Sequence, residues 1–356
     1  MINLAYVVAI AILIGLLFFL FQALKPLAGT GVTSRHQLWR RRLRIVVGFF
    51  LLAIVLCEIW GFLIEPNRLV VTHSTIQINN WPNDFNGIRI AVIGDIHAGA
   101  PFIDDLKLSM LVERTNQQQP DLVVLLGDFM SQDTWHGHRV APEITANHLK
   151  YLRAPLGVYA VLGNHDWWDN GEHVRQALEQ AGIRVLENDV TKIQRRGASL
   201  WLAGLADAWT RRQQVHETLG KIPSGSQIIA LTHNPDVFQN LPGTVPLMLA
   251  AHTHGGQVNF PLIGTPVVPS RFGQRYSAGH VFENDHHLFV TTGIGTSILP
   301  VRFRVPPEIA ILTIESKRVV SSFGPAVGNL AVVSTRIRKT IDSPAWPVID
   351  SLFPSS

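Results

Sequence analysis

The spacing of apolar and polar positions changes twice along this chain. Residues 2–24 carry no charged side chain, and residues 45–64 carry a single one, Glu58. Roughly 20 apolar residues suffice for a helix to cross ~30 Å of hydrocarbon, so each run predicts a transmembrane helix. A cleaved signal peptide fits the first run poorly, because a basic leader, a short apolar core and a small-residue cleavage pattern are all missing. Between the runs stand Lys25, Arg35, Arg40, Arg41, Arg42 and Arg44, with no acid among them. Short loops of this kind stay in the cytoplasm and are drawn to the anionic cytoplasmic leaflet. The pattern therefore predicts a two-helix hairpin over residues 1–64, with a cytoplasmic loop and everything after residue 65 on the extracytoplasmic side.

Beyond the hairpin the period shortens. Residues 65–86 read as a spacer in which Val70, Thr72, Ser74, Ile76 and Ile78 alternate with other residues in β fashion before a cluster of turn residues. Short runs rich in Val, Ile and Leu follow at 88–93, 122–126, 158–162, 228–231 and 245–250. Such runs suit strands covered on both faces. Residues 103–118 predict a helix with Leu106, Met110, Leu111 and Val112 inward, ended by Pro120. Residues 171–181 predict another. This βαβ rhythm argues for an α/β domain over 87–316, and residues 317–356 read as a loosely attached tail.

Composition agrees and narrows the choice. Of 356 residues, 47% are apolar and only 16% charged, against about 25% charged in an average soluble domain. That excludes disorder for most of the chain. The lone cysteine, Cys57, excludes a disulfide scaffold or a Cys-rich zinc module; it is expected to face lipid or the neighbouring helix. A formal charge of +4 is mild, and no basic stripe with interleaved aromatics occurs in the 87–316 region, so no nucleic-acid partner is expected.

The informative residues follow the strands. The first run leads into Gly94-Asp95-Ile96-His97, the second into Gly127-Asp128, and the third into Gly163-Asn164-His165-Asp166. The fourth leads to Thr232-His233-Asn234 and the fifth to Ala251-His252-Thr253-His254. Ligands of open α/β sheets sit beyond the carboxyl ends of the strands. In extended chain, residues i and i+2 point the same way, so Asp-x-His and His-x-His are expected to serve one ion together. Carboxylate, amide and imidazole donors without thiolate suit Mn, Fe or Zn. Seven donors are too many for one tetrahedral ion and suit two ions about 3.5–4 Å apart.

These strings resemble the calcineurin-like metallophosphoesterase superfamily, whose signature runs Asp-x-His, Gly-Asp, Gly-Asn-His-Asp/Glu, His, Gly-His-x-His. The longer strings Gly94-Asp95-Ile96-His97-Ala98-Gly99 and His252-Thr253-His254-Gly255-Gly256-Gln257-Val258 look like its bacterial membrane-anchored phosphodiesterase branch. So do 293–297 with Arg302 and Pro306-Pro307-Glu308. Ala251 departs from the pattern, which has Gly there, and its methyl is expected to crowd the turn. The resemblance implies a four-layer α/β/β/α sandwich. It implies that Asp95, His97 and His254 hold one divalent ion, that Asn164, His233 and His252 hold a second, and that Asp128 bridges both. His165 would protonate the leaving group or steady developing charge, and Asp166 would orient the His165 imidazole. The implied activity is hydrolysis of a phosphate ester by metal-activated water.

Trp167 and Trp168 are candidates either to stack on substrate or to fill core. Arg271, Arg302 and Arg304 read as solvated residues, with pairing to a second phosphate as the alternative; His136 and His138 read as exposed loop residues. Together these readings predict a phosphodiesterase or pyrophosphatase of the cell inner membrane, with two ions and a phosphate-ester substrate that its anchor makes plausible as lipid-linked. A phosphomonoesterase or protein phosphatase with the same metal core, and a non-catalytic binding protein retaining the fold, are the alternatives.

Overall fold

A computed structural model of the chain describes residues 35–317, together with residues 14, 15, 17–19 and 21, which are helical. The expected first transmembrane run thus lies largely outside the described residues, and the expected tail lies outside them beyond Lys317.

Helix α1, Arg35–Ile59, continues through a π-helical turn, Trp60–Ile64, into a 3-10 turn, Glu65–Asn67. It begins ahead of the expected second run, so Arg35, Arg40, Arg41, Arg42 and Arg44 are helical rather than loop residues. Among the described residues this is the one helix long and apolar enough to cross a membrane. Its far end is clamped to the rest of the unit. The Lys107 ammonium donates to the Asn67 side-chain oxygen at 3.2 Å, and Arg114 donates to the Leu69 carbonyl. Buried Glu65 accepts from the Arg304 backbone N–H at 2.8 Å.

Two six-stranded mixed sheets follow. The first has the order β1 (Val70–Ile78), β12 (Glu308–Ser316), β2 (Ile88–Ile93), β3 (Leu122–Leu126), β4 (Val158–Val161), β5 (Arg184–Val185). The second has the order β10 (Gly279–Glu283), β11 (His286–Val290), β9 (Leu247–Ala250), β8 (Gln227–Leu231), β7 (Ala198–Gly204), β6 (Asp189–Arg195). The residues expected to form a spacer contain β1, which pairs in parallel with β12 along its whole length.

Alternation along the strands builds the layers. Ile90, Val92, Leu122, Val124 and Leu126 face Leu200, Leu202, Ile229, Leu231, Leu247 and Leu249 in the core between the sheets. Ala91, Ile93, Val123 and Leu125 point the other way, onto helices α2 (Asp105–Gln117), α3 (Pro142–Leu149) and α5 (Gly171–Gln180) through Leu108, Leu111, Leu149, Val174 and Leu178. Met248, Ala250, Ala230 and Leu288 pack outward against Val237, Phe238 and Tyr276. Both faces of each central strand are buried, which is why these strands read as unbroken apolar runs. In α2, Asp104 caps the start by accepting from the Lys107 N–H. Leu106, expected inward, is exposed instead: it lies in the first turn, on the far side from Leu108 and Leu111.

Candidate metal centre

The strand ends converge where the two sheets meet. Asp95 and His97 follow β2, Asp128 follows β3, and Asn164 and His165 open the short helix α4 (Asn164–Asp169) after β4; His233 follows β8, and His252 and His254 follow β9. All eight side chains are buried. The Asp-x-His and His-x-His pairs do not act through extended chain, as the spacing suggested. Asp95 (φ 48°), His97 (φ 47°), Asp128 (φ 55°), His252 (φ 72°) and His254 (φ 52°) all lie in the left-handed region. Non-glycine residues there carry strain and cluster at functional sites. These kinks, not a pleat, aim both members of each pair inward.

Glycines make the approach possible. A methyl on Gly127 would meet the Gly163 backbone nitrogen at 2.4 Å, so the turns after β3 and β4 touch only because neither residue has a side chain. The Ala251 methyl, expected to crowd its turn, is accommodated because Gly94 opposite it lacks one.

The result is a chain of ligand atoms. His97 Nε2 lies 3.2 Å from His254 Nε2 and 3.6 Å from Asp128 Oδ2. The same Asp128 oxygen lies 3.1 Å from His233 Nε2, which is 3.1 Å from both Asn164 Oδ1 and His252 Nδ1. Asp95 Oδ1 is 3.9 Å from His254 Nε2, and both its oxygens accept from the His252 N–H at 3.1 Å. His233 Nδ1 lies 2.7 Å from the Leu126 carbonyl; an N–H donated there fixes the tautomer that leaves Nε2 free to ligate.

Packing so many polar groups out of water distorts their titration. Burial, with help from Asp128, pushes Asp95 up to about 7. Burial and the nearby His165 and His233 hold His97 down at about 3, and burial with the neighbouring imidazoles holds His252 and His254 well below the usual range. Burial opposes charge on His233 too, but Asp128 and Asp95 outweigh it and lift His233 to about 10. Asp128 is the mirror case: burial opposes its charge, and His233 and His165 hold it well below the usual carboxylate range.

This donor set fits divalent cations. Two neutral imidazole nitrogens point at one another at 3.2 Å, and the buried His97 Nδ1, His254 Nδ1 and His252 Nε2 have no hydrogen-bond partner among the described residues. Asp95, His97 and His254 bring one ligand atom each within 4.8 Å of one another, as do Asp128, His233 and His252. His97, Asp128 and His165 form an overlapping group.

Around this core several side chains do what the sequence did not say. The Asp166 carboxylate does not touch the His165 ring: it accepts the backbone N–H groups of Asp128 (2.8 Å), Phe129 (2.8 Å) and Gly163 (2.9 Å), tying two strand-end turns together. The carboxylate beside His165 is Asp133, whose Oδ1 lies 3.7 Å from His165 Nδ1. Trp168 sets its edge against the His165 ring (4.7 Å), and Trp209 does the same against His252 (4.3 Å). Trp167 packs on the core, under the Arg211 guanidinium. Arg302 is neither solvated nor available to phosphate: it is wholly buried and donates to the carbonyls of Thr292, Gly295 and Val305. It anchors the glycine-rich loop whose Gly293 and Gly295 press on Asp95 and His97. Arg271 and Arg304 are exposed, as are His136 and His138. Trp209 and Asp133 were missed; the signal for Trp209 was a further strand-end acid, Asp207, after β7, which accepts the Trp209 N–H at 3.0 Å.

Residues 88–256 match the family model for calcineurin-like phosphoesterases. An uncharacterized metallophosphoesterase of Bacillus subtilis, YkuE, is 31% identical over 258 residues, covering 71% of this chain and 88% of that protein. Phosphodiesterase YaeI of Escherichia coli is 30% identical, covering 63% of this chain and 81% of its own. A Danio rerio protein named as a transmembrane protein with a metallophosphoesterase domain is 27% identical, covering 72% of this chain and 60% of its own. The chain therefore belongs to the calcineurin-like phosphoesterase family, and is a metal-dependent phosphoric ester hydrolase.

Proposed function

We propose that this protein is a membrane-anchored phosphodiesterase or pyrophosphatase, using two divalent ions and acting on an envelope or lipid-linked phosphate ester. The observation that carries the reading is the position of Asp128 Oδ2, between His97 Nε2 at 3.6 Å and His233 Nε2 at 3.1 Å. Asp95, His97 and His254 would hold one ion and Asn164, His233 and His252 the other, with Asp128 shared. When bound, such ions, drawn from Mn, Fe or Zn, supply Lewis acidity toward water and phosphoryl oxygens.

The chain's own residues supply the rest. The His165 backbone N–H donates to Asp128 Oδ1 at 2.9 Å, which fixes where that imidazole enters the site. His165 then delivers a proton to the leaving oxygen, and Asp133 steadies the imidazolium. Trp168 and Trp209, 6.4 Å apart and both partly exposed, flank the opening and screen it from water. The name of the Escherichia coli relative favours a diester over a monoester.

Turnover of bis-p-nitrophenyl phosphate against p-nitrophenyl phosphate, with added Mn, tests this. Preference for the diester supports the proposal; preference for the monoester moves the reading to a phosphomonoesterase. No turnover of either, with metal bound, moves it to a binding protein. Substituting His165→Ala should lower kcat by about 10²–10⁴-fold with metal content intact; metal lost in step would make His165 a ligand.

The anchor is α1 with the π-helical turn after it, apolar from Ile45 to Ile64 apart from Glu58 and basic before that. The arginines near its start support a cytoplasmic position for that end and a catalytic domain outside the inner membrane. A reporter fused after residue 65 should be active outside the cytoplasm; cytoplasmic labelling there would overturn the orientation.

A further inference from the structure

We propose that two uncharged loops beside the catalytic opening, 255–270 and 291–301, form a rim that lies in the lipid bilayer and receives substrate from it. Neither loop contains an Asp, Glu, Lys or Arg. Between them they present Phe260, Leu262, Ile263, Val267, Ile298 and Leu299 as exposed side chains, with Leu262 completely so. Gln257 holds the loops together, accepting from the Ser297 N–H (2.8 Å) and donating to the Leu299 carbonyl (3.2 Å). Exposed apolar side chains gathered on two joined loops mark an interaction site.

Its connection to α1 identifies the bilayer as what covers it. The Arg302 N–H donates to the carbonyl of Gly61, in the last turn of the apolar helix, at 2.9 Å. Phe303 pairs with the other loop: its N–H donates to Gln257 (2.9 Å) and its carbonyl accepts from Asn259 (2.9 Å), while its ring lies 6.3 Å from that of Phe260. Leu56, Cys57 and Trp60 of the helix line a cleft with Phe303, and Glu65, Arg68 and Arg304 line its polar side. The loops are thus joined directly to the end of the apolar helix. Trp60 stands where such a helix would leave the hydrocarbon, the level at which tryptophan collects. Leu262 (φ 72°) and Ile298 (φ 62°) are held on left-handed backbone, which for a β-branched residue such as Ile298 is a marked outlier. Strain maintained to keep apolar side chains in water has no purpose; strain maintained to seat them at a lipid interface does. The rim shares the loop of His254, so a lipid-borne ester that reaches the rim is already beside the ligands.

This proposal rests on the anchoring read above, and the test separates the two. The full-length protein is reconstituted in phosphatidylethanolamine–phosphatidylglycerol vesicles with an environment-sensitive fluorophore on native Cys57, or on L262C in a C57S background, with I263C as a second rim probe. Quenching is measured with nitroxide lipids and with aqueous iodide. The expected result is a blue-shifted emission at 262 and 263, quenched by lipid and protected from iodide, as at Cys57. Lipid quenching at Cys57 with iodide quenching at 262 and 263 overturns the rim and leaves the anchor standing. Iodide quenching at all three sites overturns the anchor and the rim together. Protection of the rim probes from both quenchers means another protein surface covers them, and overturns the lipid assignment.

Discussion

The two sheets contribute to the candidate site in different chemical currencies. Among the seven candidate ligands, the sheet carrying β2, β3 and β4 supplies Asp95, Asp128 and Asn164 with one imidazole, His97, and positions His165 beside them; the sheet carrying β8 and β9 supplies only imidazoles, His233, His252 and His254. Neither sheet alone assembles a balanced set of donors. The acids meet the imidazoles across a seam where Gly94 lies directly against Ala251. Metal binding should therefore report on the packing of one sheet against the other, and disturbance of that packing should show first in metal affinity.

The sharpest break of this arrangement is Asp128→Ala, which removes the carboxylate facing both sheets. Loss of a preorganised electrostatic group costs about 10²–10³-fold; Asp128 Oδ2 stands between His97 and His233, so activity should fall by at least that much and metal content, read by elemental analysis, should fall with it. Activity that survives at saturating metal would separate the two sheets' contributions and remove Asp128 from the centre.

Titration gives the next effect. A group whose folded pKa is raised contributes stability that is complete below its unfolded value and lost as pH rises through its folded one. Among the site groups, Asp95 and Asp166 (both about 7) and His233 (about 10) are raised, whereas the depressed His97, His252 and His254 are already neutral by pH 6.5. Asp95 and Asp166 lose theirs between about pH 4 and 7, so between pH 6.5 and 10 the metal-free protein should lose stability chiefly from His233, and a cation, which replaces that proton, should spare it. The gap in Tm between the loaded and metal-free protein should widen over that range; a constant gap would mean that His233 does not meet the metal.

A smaller effect tests the seam itself. Gly94→Ala should cost about 1–3 kcal/mol in denaturant unfolding by overpacking, and A251G should restore part of it in the double variant. Additive losses would mean that the two positions are independent. The mildest change is Trp209→Ala. An aromatic contact contributes about 0.5–1.5 kcal/mol, which is roughly two- to tenfold in KM, with kcat and metal content nearly unchanged; a collapse in metal content would instead give Trp209 a structural role over His252.

The polypeptide declared its strand ends plainly. Each of Asp95, Asp128, Asn164, His233 and His252 follows a run rich in Val, Ile, Leu and Ala, and burial on both faces is what makes such runs conspicuous. What stayed hidden was whatever depends on backbone conformation or on partners remote in sequence. The left-handed φ of Asp95 and His254 cannot be read from residue type, so the pleated explanation for their spacing failed. Asp166 stands beside His165 in sequence, yet its carboxylate turns to backbone N–H groups 37 and 38 positions away. Arg302 looked like a solvent residue because nothing local reveals that three backbone carbonyls surround it.

The place of β12 has an implication for biosynthesis. It is the last strand described, yet it sits between β1 and β2, pairing with one in parallel and the other in antiparallel fashion. Until the ribosome has released that strand, the edge of β2, which leads to Asp95, is unpaired. Assembly of the ion-binding pocket must therefore wait until the globular region has emerged in full, so a chain arrested part-way through synthesis would be unable to capture metal.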